Sequence, residues 1–136
     1  MEKKEFKKLM EVVENNSKWP LIIENVSSDI FTNSVVIPSD IDSRKLGVLP
    51  SDSGDIIPMW YRSLLIKSKG KDKVLLIIDG LDMVDKDSQE EFYGLLKMKK
   101  LNGMDLPENT QILITVKDTN KVSNKIKGLS LIYKVE

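Results

Sequence analysis

The run Lys73–Val74–Leu75–Leu76–Ile77–Ile78–Asp79–Gly80–Leu81–Asp82 constrains the fold of this chain more than any other stretch. From Val74 to Ile78 there is no polar residue, so a strand built from it has no face suited to water. An antiparallel strand with one wet face alternates; a central strand of a parallel sheet is apolar on both faces. The run stops at an aspartate, at the carboxyl end of that strand, which is where open parallel sheets hold ligands. Asp–Gly is also a common turn former. Two readings of Asp79 therefore stand side by side: a ligand-facing carboxylate, or a cap for the turn that follows.

The rest of the chain supplies partners for such a strand. Residues 3–16 read as an amphipathic helix, with Phe6, Leu9, Met10 and Val13 on one face and Asn15–Asn16–Ser17 as its end. Further strands are expected at 21–26, opened by Pro20, at 35–37, closed by Pro38, at 111–116 and at 130–135. The loop 27–34 is too short and polar for a proper helix. Pro58 opens a helix through Trp60, Leu64 and Leu65 to about Ser68, with Gly70 past its end. Asp87 and Glu90 have the spacing of a capping box. The helix they start carries Phe92, Leu95 and Leu96 inward and ends near Asn102–Gly103. A short helix is expected at 120–127. The stretch 39–56 holds Gly47, Pro50, Gly54 and repeated Ser-Asp pairs, and flexibility is expected there. Strands alternating with helices give one α/β domain over 1–136, a three-layer sandwich around a five-stranded, mostly parallel sheet.

Composition removes several chemistries. The sequence has no Cys and no His. Thiol nucleophiles, Ser–His pairs, the common zinc sites and imidazole acid–base catalysis are thereby excluded, as are disulfides. That agrees with a reducing cytoplasm. Basic and acidic residues balance at 21 each, and Arg44 and Arg62 are the only arginines. Dense nucleic-acid readout, which draws on bidentate Arg, is disfavoured. The longest apolar runs are strand-length, far short of the ~20 residues of a membrane span, and the start Met-Glu-Lys-Lys-Glu is not a signal peptide.

The candidate site residues are Asp79 and Asp118, each at the end of a long apolar strand. If those strands are neighbours, both carboxylates face one crevice, where Mg²⁺ held through one or two carboxylates and waters would fit. The bland alternatives are a turn cap at Asp79 and an Asx-turn at Asp118–Thr119–Asn120. Asp82 and Asp85 read as a solvated acidic loop, Trp60 and Tyr61 as a helix face packed on the sheet, and Lys97, Lys99 and Lys100 as a solvated helix end.

From about Leu49 to Val135 the chain resembles the core of an AAA+ ATPase, nearest to the MoxR/McrB-like branch. Val74–Asp79 is similar to a Walker B strand. Leu49–Pro50–Ser51–Asp52–Ser53–Gly54–Asp55 with Pro58–Met59–Trp60 resembles the loop that leads into it. Gln89–Glu90–Glu91–Phe92–Tyr93–Gly94–Leu95–Leu96 resembles the helix that follows it. Leu106–Pro107–Glu108–Asn109–Thr110 through Thr115 resembles the sensor 1 strand. The resemblance implies the strand order 5-1-4-3-2 and places Asp79 and Asp118 at the Walker B and sensor 1 positions. The departures are as specific. No G-x-x-x-x-G-K-[ST] occurs, and Ser27–Ser34 after the first strand has neither Gly nor Lys. Gly80 stands where the catalytic Glu belongs and Lys127–Gly128–Leu129 where the arginine finger belongs, and a chain ending at Glu136 is expected to lack the lid domain. Losing these groups removes most of the transition-state stabilisation of phosphoryl transfer. The expectation is a degenerate, non-hydrolysing AAA+-like domain without a cofactor. It would bind another protein, either an AAA+ protein or a second copy of itself. The alternative is a P-loop NTPase-related protein that binds ATP and Mg²⁺, with residual activity centred on Asp79.

Overall fold

The structure is a computed structural model describing residues 2–16, 18–47, 57–101 and 103–135. Helices are α1 (Lys3–Asn15), α2 (Ser43–Leu46), α3 (Met59–Ser68), α4 (Lys86–Glu90), α5 (Tyr93–Met98) and α6 (Asn124–Leu129). Strands are β1 (Leu21–Glu24), β2 (Ser34–Pro38), β3 (Val74–Asp79), β4 (Lys100–Leu101), β5 (Met104–Asp105), β6 (Thr110–Val116) and β7 (Leu131–Lys134). Five of them form one parallel sheet in the order β2-β3-β6-β1-β7. Numbered as the five strands expected from sequence, that is 5-1-4-3-2 read from the other edge.

The apolar run of β3 lies in the interior of the sheet, between β2 and β6, and is buried on both faces as its pattern requires. On one face Leu76, Ile78, Ile112 and Ile114 pack with Trp60 and Leu64 of α3, Leu95 and Leu96 of α5 and Ile126 of α6. On the other, Leu21, Ile23, Leu75, Ile77 and Leu113 meet Leu9 and Val13 of α1 and Phe31 of the loop after β1. Trp60 and Tyr61 are buried, with indole N–H and phenol O–H satisfied by the carbonyls of Leu46 and Asp105. The C-terminal end of α1 is tied to the sheet. Lys73 donates from Nζ to the carbonyls of Val13 (3.2 Å) and Glu14 (3.3 Å), and the Gln111 side-chain amide donates to Asn16 O. A cation on those last carbonyls also complements the helix dipole.

Several boundaries depart from the sequence pattern. β1 stops at Glu24 because Asn25 turns into the left-handed region (φ 73°) and donates its N–H to Val116 O. The expected helix at 120–127 is a 3-10 turn, Thr119–Lys121, followed by α6. The helix after β3 is capped by Asp85, not Asp87. Asp85 Oδ1 accepts the Ser88 N–H at 2.7 Å. The expected single helix is two, α4 and α5, joined by a turn at Glu91–Phe92. The second ends at Met98, where Lys99 is left-handed (φ 51°), and the antiparallel pair β4–β5 follows. Strands of two residues are too short to leave a periodic signal. Of the stretch 39–56, residues 48–56 lie outside the described residues; the described part includes α2.

The cap at Asp85 carries a pH dependence. The Ser88 N–H it accepts holds its carboxyl below the ordinary value of 3.8. A depressed folded pKa means stability that is complete above the ordinary value and is lost as pH falls through the lower folded one. Asp85→Asn keeps an acceptor without the charge. Urea denaturation of this variant from pH 5 down to pH 2 should show a shallower loss of stability than the parent.

Candidate functional site at the carboxyl edge of the sheet

Parallel register brings Asp79, the last residue of β3, level with Thr115 of β6. The Thr115 hydroxyl donates to Asp79 Oδ1 at 2.8 Å. The next residue, Gly80, donates its N–H to Thr115 O at 2.9 Å and lies 3.3 Å from the same hydroxyl. Gly80 has φ +70°, a conformation that side chains with a Cβ rarely adopt. Its carbonyl accepts the Met83 N–H at 2.9 Å and the Ser39 hydroxyl at 2.8 Å. The turn thus holds Asp79 at the rim of the sheet, where it is exposed.

Asp82 is more than a solvated acid. Its Oδ2 accepts the N–H groups of Lys117 and Asp118, both at 3.0 Å, tying the loop after β3 to the end of β6. Its Oδ1 is buried without a partner among the described residues. Asp118 itself turns away. Its Oδ1 accepts the Asn120 N–H at 3.0 Å, the Asx-turn alternative, and starts the 3-10 turn that follows. β3 and β6 are neighbours, yet it is Thr115, not Asp118, that faces Asp79.

A cavity of about 440 Å³ opens at this edge. Asn25, Val26 and Ser27 after β1 line one side, Asp79, Gly80, Asp82 and Met83 another, and Thr115, Val116 and Lys117 the third. It lies across the ends of β1, β6 and β3. From β1 the chain crosses to the far edge at β2, and from β6 it passes to β7 on the other side of β1. The crevice between β1 and β6 is therefore a topological switch point. The segment leaving β1 makes one 3-10 turn, Ser28–Ile30, and buries Phe31 beneath the sheet. Asn33 then turns it into β2, its side-chain amide donating to Lys73 O at 2.8 Å. No α-helix begins there, so the cavity has no helix N-terminus directed at it from β1. The α-helix packed on that face is α1, which precedes β1.

A second polar centre braces this edge from behind. Gln89 is 1% exposed. Its amide donates to the carbonyls of Val84 (3.0 Å) and Lys121 (2.9 Å), and its Oε1 accepts the Ser123 N–H at 2.7 Å. One side chain thereby joins the loop after β3, the turn after β6 and the start of α6. Gln89 belongs to the helix motif singled out in the sequence, but its role was not legible there. Thr115 and Asp82 were missed as site residues because their partners are 36 and 35 positions away. Among the described residues no cluster of three or more His, Cys, Asp or Glu is arranged to hold a metal ion, and no helix is long and apolar enough to cross a membrane.

No family model and no curated protein sequence matches this chain. Solved structures do. The polymerase III gamma subunit-related protein of Thermotoga maritima superposes with a TM-score of 0.55 at 10% identity, over 97% of this chain and 46% of its own. Thermotoga maritima RuvB, as the A156S mutant, gives 0.56 at 10% identity, over 100% and 46%. NtrX of Brucella abortus gives 0.58 at 12% identity, over 100% and 37%. The chain spans less than half the length of each. The polymerase subunit-related protein and RuvB are AAA+ ATPase proteins. The parallel five-stranded sheet, its order and these superpositions together establish that the chain has the P-loop NTPase-like α/β fold of AAA+ ATPase domains.

Proposed function

We propose that this chain is a degenerate, non-hydrolysing AAA+-like domain, nearest in motif order to the MoxR/McrB-like branch, which acts in the cytoplasm by binding another protein. The observation that carries the reading is the path of the chain after β1. Where a phosphate-binding loop and its helix would stand, residues 25–33 contain no glycine and no lysine and form a single 3-10 turn. A triphosphate needs clustered N–H donors and a cation, and the cavity offers Asp79 and Asp82 with Lys117 alone in return. Gly80, left-handed after Asp79, also leaves no place for an activating carboxylate. Asp79 and Asp118 then serve the fold, as vestiges of the Walker B and sensor 1 positions.

The cavity at the switch point favours a second reading, in which Asp79 helps hold Mg²⁺ and a nucleotide. One set of measurements separates the two. Purified protein with ATP or GTP and Mg²⁺ should show no turnover above a buffer control and no rise in melting temperature. A bound nucleotide at a hundred times its dissociation constant would add about 2.7 kcal/mol. Asp79→Asn should cost no more than about 1 kcal/mol, since Asn still accepts from Thr115. Turnover abolished by Asp79→Asn, or a Mg²⁺-dependent stabilisation lost in it, would establish the nucleotide reading instead.

A further inference from the structure

Helix α3 is apolar on both of its sides. The inner side buries Trp60, Tyr61 and Leu64 in the core above the sheet. The outer side leaves Met59 80%, Ile66 70% and Leu65 37% exposed. An amphipathic surface helix turns polar residues to water, whereas a helix apolar all round is one that is covered on two sides. The sheet covers only one of them. Met59 and Ile66 are seven residues apart, so they stand in one row along the helix, about 10.5 Å from each other. Arg62 and Lys69, the residue that caps the last turn, form a second row of the same spacing about 60° round the helix. On the other flank of the apolar row Lys67 reaches to β2, its Nζ donating to Ser34 O at 2.7 Å.

Charge and spacing select the partner. No acidic residue lies on α3. Among the described residues neither Arg62 nor Lys69 has an ion pair. Nor do the adjoining elements answer them. Strand β2 is uncharged throughout. Asp105, whose carbonyl accepts the Tyr61 hydroxyl, has its carboxylate 3.6 Å from Lys100 Nζ. Asp72 and Glu108 line a separate cleft with Glu14 and Lys73 at the amino edge of the sheet. An apolar row flanked by cations is complementary to an apolar row flanked by carboxylates, and Arg is the cation best suited to pair with them at an interface. A helix laid alongside α3 repeats its facing residues at the same interval of about 10.5 Å, whereas the same-face residues of a strand recur at about 7 Å. A second copy of α3 would bring Arg62 and Lys69 against the same cations, which opposes self-pairing. We propose that the outer face of α3 docks an amphipathic helix of a partner protein. Its apolar seam would lie on Met59 and Ile66, with carboxylates beside Arg62, Lys67 and Lys69. This rests on the protein-binding reading above and names the partner's chemistry.

The probe is a blocked three-heptad peptide with leucine at a and d, glutamate at e and g and alanine elsewhere, added to ¹⁵N-labelled full chain. Its glutamates oppose pairing with itself. Controls are the same peptide with lysine for glutamate and one with a central proline, which breaks the helix. Expected are saturable amide shifts along α3 with the glutamate peptide, weakened by salt and at least tenfold weaker with either control. Arg62 and Ile66 are exposed, so Arg62→Glu and Ile66→Glu should leave the rest of the spectrum in place. Both should weaken the glutamate peptide at least tenfold, and Arg62→Glu should strengthen binding of the lysine peptide. No shifts at millimolar peptide, equal binding of the lysine peptide to the parent, shifts confined to the cavity or to β7, or a dimer joined through α3 would each overturn the proposal. So would co-sedimentation with phosphatidylserine vesicles that Ile66→Glu abolishes, since the occupant would then be a membrane. The nucleotide titration is independent of these results. A peptide failure with no nucleotide response removes this surface only, whereas a nucleotide response overturns the non-hydrolysing reading.

Discussion

Replacing Gln89 by leucine should lower the free energy of unfolding by about 3–5 kcal/mol. The substitution removes three hydrogen bonds at once. It strands the carbonyls of Val84 and Lys121 and the N–H of Ser123 beside a side chain with almost no access to water. Each buried group left unpaired costs about 1–3 kcal/mol, while a full set of bonds contributes less in net terms than its loss takes away. Against a domain stability of roughly 5–15 kcal/mol this is a large fraction. Gln89→Glu is the sharper comparison. It retains an acceptor for Ser123 but sets a second oxygen against two carbonyls, so it should be at least as damaging at neutral pH and recover partly in acid, where the carboxyl can donate. Equilibrium urea unfolding of both variants decides the matter. A loss under 1 kcal/mol for Gln89→Leu would mean that water or a repacked loop replaces the amide.

Leu76→Ala should cost about 3–4 kcal/mol, the range of a large-to-small change where the surroundings cannot collapse. Leu76 is fully buried in β3, with Val35 and Ile112 level with it on the neighbouring strands. Strands on both sides and helices above it leave little freedom to close the void. Val36→Ala, one register position along on the exposed edge strand, is the matched control and should cost under about 1 kcal/mol. Near-equal effects at the two positions would contradict the central placement of β3.

The architecture was legible because burial leaves a mark on neighbouring residues. The unbroken apolar run at Val74–Ile78 can only be a strand covered twice, and Pro20, Pro38 and Pro58 mark where elements begin or end. The strand order came instead from motif resemblance, since no residue states its neighbour. What stayed hidden depends on long-range register. Thr115 looks like one more β-branched strand residue until the sheet sets it against Asp79. Asp118 looks like the better carboxylate until the chain turns at Asn120 and its side chain is spent on the local backbone. Capping was misplaced by two residues because Asp87 has a Glu three positions on, whereas Asp85 caps through a backbone N–H that leaves no mark in the sequence. Only the geometry of Ser88 separates them.

The strand order has a consequence for how the chain acquires its fold. β1 pairs only with β6 and β7, and β2 only with β3. Among the described residues, the first 73 therefore hold no native strand pair. A growing chain emerging from the ribosome would carry the apolar segments of α1, β1 and β2 without partners until residues 74–79 appear, and β1 would wait for residues 110–134. Acquisition of the sheet is thus weighted to the end of synthesis, when long-range pairings close together. Until then Leu21–Ile23 is an uncovered apolar strand, and the nascent chain is the form of this protein most exposed to aggregation and most in need of a chaperone.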